Sequence, residues 1–311
     1  MKDSELRASG PPDTFDNTML ANYLCPRQLY FFLRRIEPEV KLAYFTFGRA
    51  FGQGINQWHE TQDSMMSQEE REFLSQEEAT RIWQKENPRE KNNDNFNNLT
   101  HMISSYCSLY SQPEAWKMIS AEVGFRLPIP ETEIYYAGSL DAYIEWPGYG
   151  LLLREDKTTA SYITESFITQ WSHASQVTGY IWALEQTLGE MPFGALMNIA
   201  SKRPRKDEIL RFSRNLETRS KDQIDRFMTE TISITDSIRG QWNKNSWFWP
   251  KLGERNPMMC AGGIGRSPCT YRNICILDTE PWELDGHEYS LHGLVENPHP
   301  WEPWEREGKD D

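Results

Sequence analysis

The residues with the clearest chemical content are two carboxylates and a lysine. Asp141 closes the run Gly138-Ser139-Leu140-Asp141; past a turn at Pro147-Gly148-Tyr149-Gly150, Glu155 and Lys157 end the run Leu151-Leu152-Leu153-Arg154-Glu155-Asp156-Lys157. Paired as a hairpin, the two runs bring Asp141 and Glu155 to one edge of a sheet, where two carboxylates can share a divalent cation. Hydrolysis of a phosphodiester uses such a cation to polarise the phosphoryl oxygen, activate water and neutralise the leaving oxygen, and hard oxygen ligands suit magnesium or manganese. Strand side chains alternate, so Glu155 and Lys157 share a face while Asp156 points away and offers only its backbone carbonyl. An ammonium beside the metal orients or deprotonates the attacking water and stabilises the transition state. A Glu-x-Lys triplet alone is common at polar strand ends; the abrupt change from three leucines to charge marks this one.

Cysteine supplies the second group with chemistry. Five cysteines in 311 residues are too sparse for a disulfide scaffold. The polar start, Met1–Asp13, and the lack of any run of about 18 apolar residues predict a cytoplasmic protein with no membrane span, where thiols stay reduced. Cys260, Cys269 and Cys275 stand with eight and then five residues between them, and Cys25 lies far upstream. Four thiolates hold a 4Fe–4S cluster or, equally, a tetrahedral zinc ion. Structural zinc sites commonly use closely spaced cysteine pairs, which are missing here, so the spacing favours iron–sulfur with zinc as the alternative. Cys107, four residues after Ile103 on an apolar stripe, reads as core.

These groups need elements to position them. Thr18 is a candidate cap for a helix through Leu24, and Pro26 fits the first position of a second, Arg27–Arg35, which puts Cys25 at a helix junction. Phe51, Ile55 and His59 recur at four-residue steps within Thr46–Gln62, turning the His59 ring inward. Ser64–Lys85 reads as helix, Asn87–Asn98 as a polar loop, and Phe96, Leu99, Ile103, Tyr106 and Tyr110 as a further helical stripe. Three β-type runs follow, Met118–Ile129, Glu133–Trp146 and Gly150–Lys157, which predict a meander; Glu122 on the first is a further acidic candidate for the metal. Phe167, Trp171, Ala174, Thr178, Ile181 and Leu188 mark one long helix, on which Gln176 and Tyr180 share a face. A strand pair, Phe193–Ala200 with Glu208–Phe212, and a helix, Thr218–Trp242, complete the periodic part.

In this order the motifs resemble the RecB-like branch of the PD-(D/E)XK nuclease superfamily, and within it the iron–sulfur exonucleases: CRISPR-associated adaptation exonucleases, the AddB nuclease domain and phage-encoded relatives. The resemblance runs from about Thr18 to Cys275 and rests on Cys25-Pro26, His59, Gly138 with Asp141, Glu155-Asp156-Lys157-Thr158, Gln176 with Tyr180, and the closing cysteines. It implies that His59, Asp141, Glu155 and the carbonyl of Asp156 ligate a divalent metal, that Lys157 is the catalytic lysine, and that Gln176 and Tyr180 position the substrate strand. It further implies a 4Fe–4S cluster on Cys25, Cys260, Cys269 and Cys275, tying the two ends of the chain together. The implied fold is α/β, restriction-endonuclease-like, with a mixed central sheet flanked by helices, a helical N-terminal region and a C-terminal iron–sulfur region. The implied activity is that of a DNA exonuclease on single-stranded ends in recombination, repair or phage DNA processing, with recombination or CRISPR-adaptation proteins as partners. Two features depart from the pattern: the acidic Asp156, where the family more often carries an apolar or aromatic residue, and the Trp- and Pro-rich stretch after Cys275.

The expected organisation is a helical region at 14–115, a nuclease core at 116–242, a cluster-binding region at 243–276 and an acidic tail at 277–311. A net charge of −13 opposes phosphate binding, but Ile276–Asp311 alone carries 11 acidic and 2 basic residues. The basic stretch Lys202, Arg203, Arg205 and Lys206 reads more simply as a solvated turn than as a phosphate contact. Two rivals remain: a non-catalytic DNA-binding partner that keeps the fold, and an iron–sulfur redox enzyme. The second lacks a glycine-rich nucleotide motif to supply another cofactor.

Overall fold

The computed structural model describes residues 10–242, 260–262, 268–277, 283–299 and 302–305. Much of the expected cluster-binding region and acidic tail, including Gly263 and Gly265, lies outside the described residues. In chain order the elements are β1 (Thr14–Asp16), α1 (Asn17–Asn22), α2 (Pro26–Leu33), β2 (Ile36–Pro38), α3 (Ala43–Glu60), α4 (Gln68–Glu86) and α5 (Phe96–Leu109). Then come β3 (Lys117–Pro128), β4 (Tyr135–Trp146), β5 (Gly150–Thr159), α6 (Glu165–Thr169), α7 (Ser175–Leu188), β6 (Gly194–Ser201), β7 (Phe212–Glu217) and α8 (Lys221–Trp242). Two short helices, α9 (Arg272–Cys275) and α10 (Gly286–Leu291), precede β8 (Leu294–Glu296).

Among the described residues the chain divides into two compact units, one of 10–40, 126–138 and those within 224–305, the other of 41–125 and 139–223. In the second unit β5 is the axis. It pairs antiparallel with β4 from Ala142↔Arg154 to Trp146↔Gly150, and parallel with β6 from Leu152↔Gly194 to Thr159↔Ser201. β6, buried along its whole length, pairs antiparallel with β7. The sheet is therefore mixed, and β6, covered on both faces, is mostly apolar as such a strand must be, apart from Asn198 and Ser201. On one side α3 packs on β5, backed by α4 and α5 around Phe47, Phe51, Ile55, Trp58, Leu99 and Tyr106. α7 packs on β5 and β6.

In the first unit β1 runs parallel to Tyr135–Ala137, and β2 pairs antiparallel with β8 in the register Ile36↔Glu296. The buried Arg34 guanidinium bonds the Tyr30 hydroxyl at 3.1 Å, pairs with Glu296 and lies 5.7 Å from the Tyr289 ring centroid. Tyr271 donates from its hydroxyl to the Ile36 carbonyl at 2.9 Å and packs on Phe31 at 5.0 Å. Leu294–Glu296, beyond the stretch covered by the resemblance, is thus part of a packed sheet.

The expected α/β class and the meander of β3, β4 and β5 are present; several boundaries differ for local reasons. Asp16, not Thr18, caps the first helix, accepting from Met19 N at 2.7 Å. Ser67 and Glu70 form a reciprocal capping box, so α4 starts at Gln68 rather than Ser64. The expected long helix is broken: α6 passes into a 3₁₀ turn at Gln170–His173, and Ala174 is extended at ψ 117° before α7. A 3₁₀ turn keeps side chains on a near-helical stripe, so periodicity alone does not register the break. Glu208–Arg211 is also a 3₁₀ turn, because the Asp207 carboxylate accepts from Ile209 N at 3.1 Å; the strand begins at Phe212.

No helix among the described residues is long and apolar enough to cross a membrane.

Candidate active site

The hairpin register ends at Ala142↔Arg154, one residue short of each carboxylate, so Asp141 and Glu155 leave the ladder side by side. The Asp156 amide donates to Asp141 Oδ2 at 2.8 Å and locks this geometry. Glu155 is 1% exposed. Its Oε1 accepts from the Lys157 ammonium and from Gln176 Nε2 at 3.0 Å, while its Oε2 is buried with no hydrogen-bond partner. Lys157 Nζ also lies 5.8 Å from the centroid of the Trp171 ring. Asp141, Glu155, Lys157 and Gln176 are therefore gathered on the α7 face of β5. Tyr180, one turn beyond Gln176, packs edge-on against Phe125 at 5.7 Å.

The opposite face of β5 carries a second polar group. Arg154 is 1% exposed; its guanidinium bonds Asn56 Oδ1 and Asp156 Oδ2, the latter at 2.7 Å. Asn198 Nδ2 donates to Asp156 Oδ1 at 2.7 Å and to the Tyr106 hydroxyl at 3.1 Å. Arg214 reaches the same hydroxyl at 2.7 Å and Glu114 at 2.5 Å. His59 belongs to this face. Its Nε2 bonds the Tyr106 hydroxyl at 2.9 Å and its ring lies 4.6 Å from that of Trp116. Burial, followed by the charges of Arg154, Arg214 and Arg71, holds its pKa well below the usual histidine value. The hydrogen bond to Tyr106 places His59 on the side of β5 that carries Arg154 and Asp156, and among the described residues no three or more His, Cys, Asp or Glu side chains are grouped to hold a metal ion. The physical reason is alternation: α3 packs over Arg154 and Asp156, the residues that point away from the carboxylate pair. Glu122 sits at a positive φ of 50° and accepts from Asn56 Nδ2 at 3.4 Å, also through α3.

Burial and then the charge of Asp141 push the Glu155 carboxyl up to about 8, against the opposing pull of Lys157. Asp141 is raised for the same first reason, again opposed by Lys157. Burial acts to lower Lys157, but Glu155 and Asp141 outweigh it and hold the ammonium above its usual value. A buried, unspent carboxylate oxygen beside a second carboxylate is a donor set short of positive charge. Two carboxylates fit magnesium, which keeps several waters and takes one or two protein oxygens; they do not fit a closed zinc site.

The four cysteines named above all lie in the first unit. Cys25 precedes α2, whose first residue is Pro26, and Cys275 ends α9. Cys269 N bonds the Cys260 carbonyl at 3.0 Å. None of the four is joined in a disulfide. Burial raises Cys269, and the charges of Cys260 and Cys25 add to it; Cys275 is pushed up to about 12 by burial and then by Cys269. The four sulfurs are electrostatic neighbours, yet they are not grouped to hold a single metal ion. Cys107 is fully buried in the α3–α5 core.

Sequence reasoning missed Arg154, Asn198 and Asn56, which hold the Asp156 side chain, and Trp171 beside Lys157. The signal for Arg154 was available: it stands two residues from Asp156 on a strand, so the two share a face.

A mixed sheet flanked by helices, with a carboxylate and a lysine on its axial strand and a second carboxylate on the strand beside it, defines an α/β protein of restriction-endonuclease-like architecture. The chain belongs to the PD-(D/E)XK nuclease superfamily, whose family model matches residues 20–276. No curated protein matches it. Among solved structures it is similar to SSO0001, with 12% identity, 77% of this chain and 87% of that one covered, and a TM-score of 0.31. It is also similar to a protein from Eubacterium rectale named as a candidate exonuclease, with 10% identity, 85% and 99% covered, and a TM-score of 0.42.

Proposed function

We propose that the chain is a divalent-metal-dependent deoxyribonuclease that hydrolyses phosphodiester bonds at the ends of single DNA strands. The observation that carries this reading is the unpartnered Glu155 Oε2, buried beside Asp141 and flanked by Lys157 and Gln176. Asp141 and Glu155 would hold magnesium or manganese, which supplies polarisation of the phosphoryl oxygen and activation of water. Gln176 fixes the Glu155 carboxylate through Oε1 and leaves Oε2 unspent. Lys157, held as an ammonium between two carboxylates, offers charge to the transition state rather than a free base. Arg154 and Asn198 clamp the Asp156 side chain on the far face and so fix the backbone between Glu155 and Lys157. End-labelled single-stranded DNA incubated with manganese is expected to shorten, and EDTA to stop it. Intact DNA under both conditions would instead favour the rival reading of a non-catalytic DNA-binding protein.

The same reading includes a 4Fe–4S cluster on Cys25, Cys260, Cys269 and Cys275. The support is the cysteine spacing, eight and then five residues between Cys260, Cys269 and Cys275, without the closely spaced pairs common in structural zinc sites. Anaerobically purified protein is expected to contain iron and absorb visible light; stoichiometric zinc without iron would refute the cluster.

The raised Glu155 value gives a pH test. A carboxyl with a folded pKa above its unfolded one stabilises the fold fully below about 4.5, and that contribution is lost as pH rises towards about 8. The metal-free protein should therefore melt at lower temperature at pH 8 than at pH 6. Added magnesium should raise the melting temperature more at pH 8, since the cation replaces the proton. Glu155→Gln should flatten both trends; a variant that keeps them would dissociate them from this carboxyl.

A further inference from the structure

The segments that leave β5 and β6 run on together past Thr159↔Ser201, the last pair of their ladder, two residues beyond Lys157. Lys202 N donates to the Thr159 carbonyl at 2.8 Å, Ser201 Oγ to the Ser161 carbonyl at 2.8 Å, and Arg203 N to Ser201 Oγ at 3.2 Å. This seam carries the basic stretch that the sequence suggests is a solvated turn, and the structure divides it. Lys202 is 4% exposed and paired with Asp94, so it belongs to the core. Arg203 and Arg205 instead lie over a single aromatic ring, that of Tyr162, at 4.8 and 4.0 Å from its centroid.

Two guanidiniums on one ring repel each other, and the ring's quadrupole offsets only part of that cost. The acids next in the chain are engaged elsewhere: Asp207 caps Ile209 N, and Glu208 is taken by Arg211 and Ser105. Among the described residues no carboxylate pairs with Arg203 or Arg205, and Arg205 Nε is buried without a hydrogen-bond partner. Guanidinium forks with unspent donors match phosphate oxygens. The seam is also close to the chemistry, because Thr159 follows Lys157 by two residues, about 7 Å of strand. The connection from β5 to α7 that carries Tyr162 also carries Trp171, which faces Lys157.

We propose that Arg203 and Arg205, held in place by Tyr162, form a binding site for consecutive phosphates of the DNA strand whose end occupies the active site. The choice of DNA as ligand rests on the nuclease reading above; the anion site itself rests on the seam. Tyr162 is a positioning residue here, and the two arginines make the contacts.

The test uses the full chain and a fluorescein-labelled oligothymidylate in EDTA, so that binding is read without hydrolysis. Arg203→Ala with Arg205→Ala is expected to weaken binding at least about tenfold at low salt. The slope of log K against log salt should fall by about 1.4, since each single-strand phosphate contact contributes about 0.7. Arg203→Lys with Arg205→Lys should retain most of that slope. Tyr162→Ala should weaken binding while Tyr162→Phe does not. Manganese-dependent hydrolysis of bis(p-nitrophenyl) phosphate, too small to reach the seam, should be unchanged in the double alanine variant. An unchanged affinity and salt slope in that variant would overturn the site even if the protein degrades DNA. Arginine-dependent binding by a protein that cleaves nothing would uphold the site and remove the nuclease reading.

Discussion

Lys157→Ala is expected to lower the rate of single-strand degradation in manganese by about 10²- to 10³-fold, the usual loss when one preorganised donor to a developing charge is removed. The ammonium is the only cation bonded to Glu155 among the described residues, and both carboxylates of the site hold it protonated. Its loss removes charge where negative charge builds on the phosphoryl oxygens. The loss should fall on kcat, because binding of the strand draws on other groups, and the oligonucleotide affinity in EDTA should stay near wild type. The fold should survive: without its counter-ion Glu155 simply retains its proton to higher pH, so a melting curve at pH 6 should move by only a few degrees. Equal degradation by the variant and the wild type would remove Lys157 from the active site.

Arg154→Ala is expected to be the most destabilising single change near the site, by about 3–5 kcal/mol, because removing one partner of a buried pair strands the other. The Arg154 and Asp156 side chains are 1% and 5% exposed. After truncation Asp156 would keep only the Asn198 amide, and Asn56 Oδ1 would lose its donor. Urea unfolding of Arg154→Ala, Asp156→Ala and the double variant gives the coupling directly. The double variant should be markedly more stable than the sum of the single losses predicts, since it leaves no buried charge unpaired. Strict additivity would mean that the two side chains do not act as a pair. At temperatures where Arg154→Ala is still folded, its hydrolytic rate should also fall, as the backbone between Glu155 and Lys157 loses its anchor on the far face.

These two expectations come from opposite sides of one strand and differ in how visible they were beforehand. Asp141, Glu155 and Lys157 could be read from the sequence because strand alternation and a hairpin turn are local rules, and the Leu151–Leu153 run marked where burial ends. Gln176 could be read because helical spacing is local too, although the break at Ala174 that starts its helix was hidden by a 3₁₀ turn with similar periodicity. The inward-pointing ring of His59 was legible for the same reason.

Where that ring goes was not legible. Periodicity specifies that a residue is buried but not the surface that buries it, and α3 lies over the Arg154 and Asp156 face of β5. There His59 meets Tyr106, Trp116 and three arginine charges instead of the two carboxylates. The basic stretch at 202–206 was decided in the same way, since four consecutive-looking charges carry no information about which finds Asp94 and which find Tyr162. The sequence by itself determined the catalytic carboxylates and lysine as candidates, the α/β class and the core stripes, all of which follow from contacts within a few residues. Tertiary structure alone decided which face of the axial strand each distant group joins, because that depends on how whole helices pack, a choice made by burial summed over many residues rather than by any local motif.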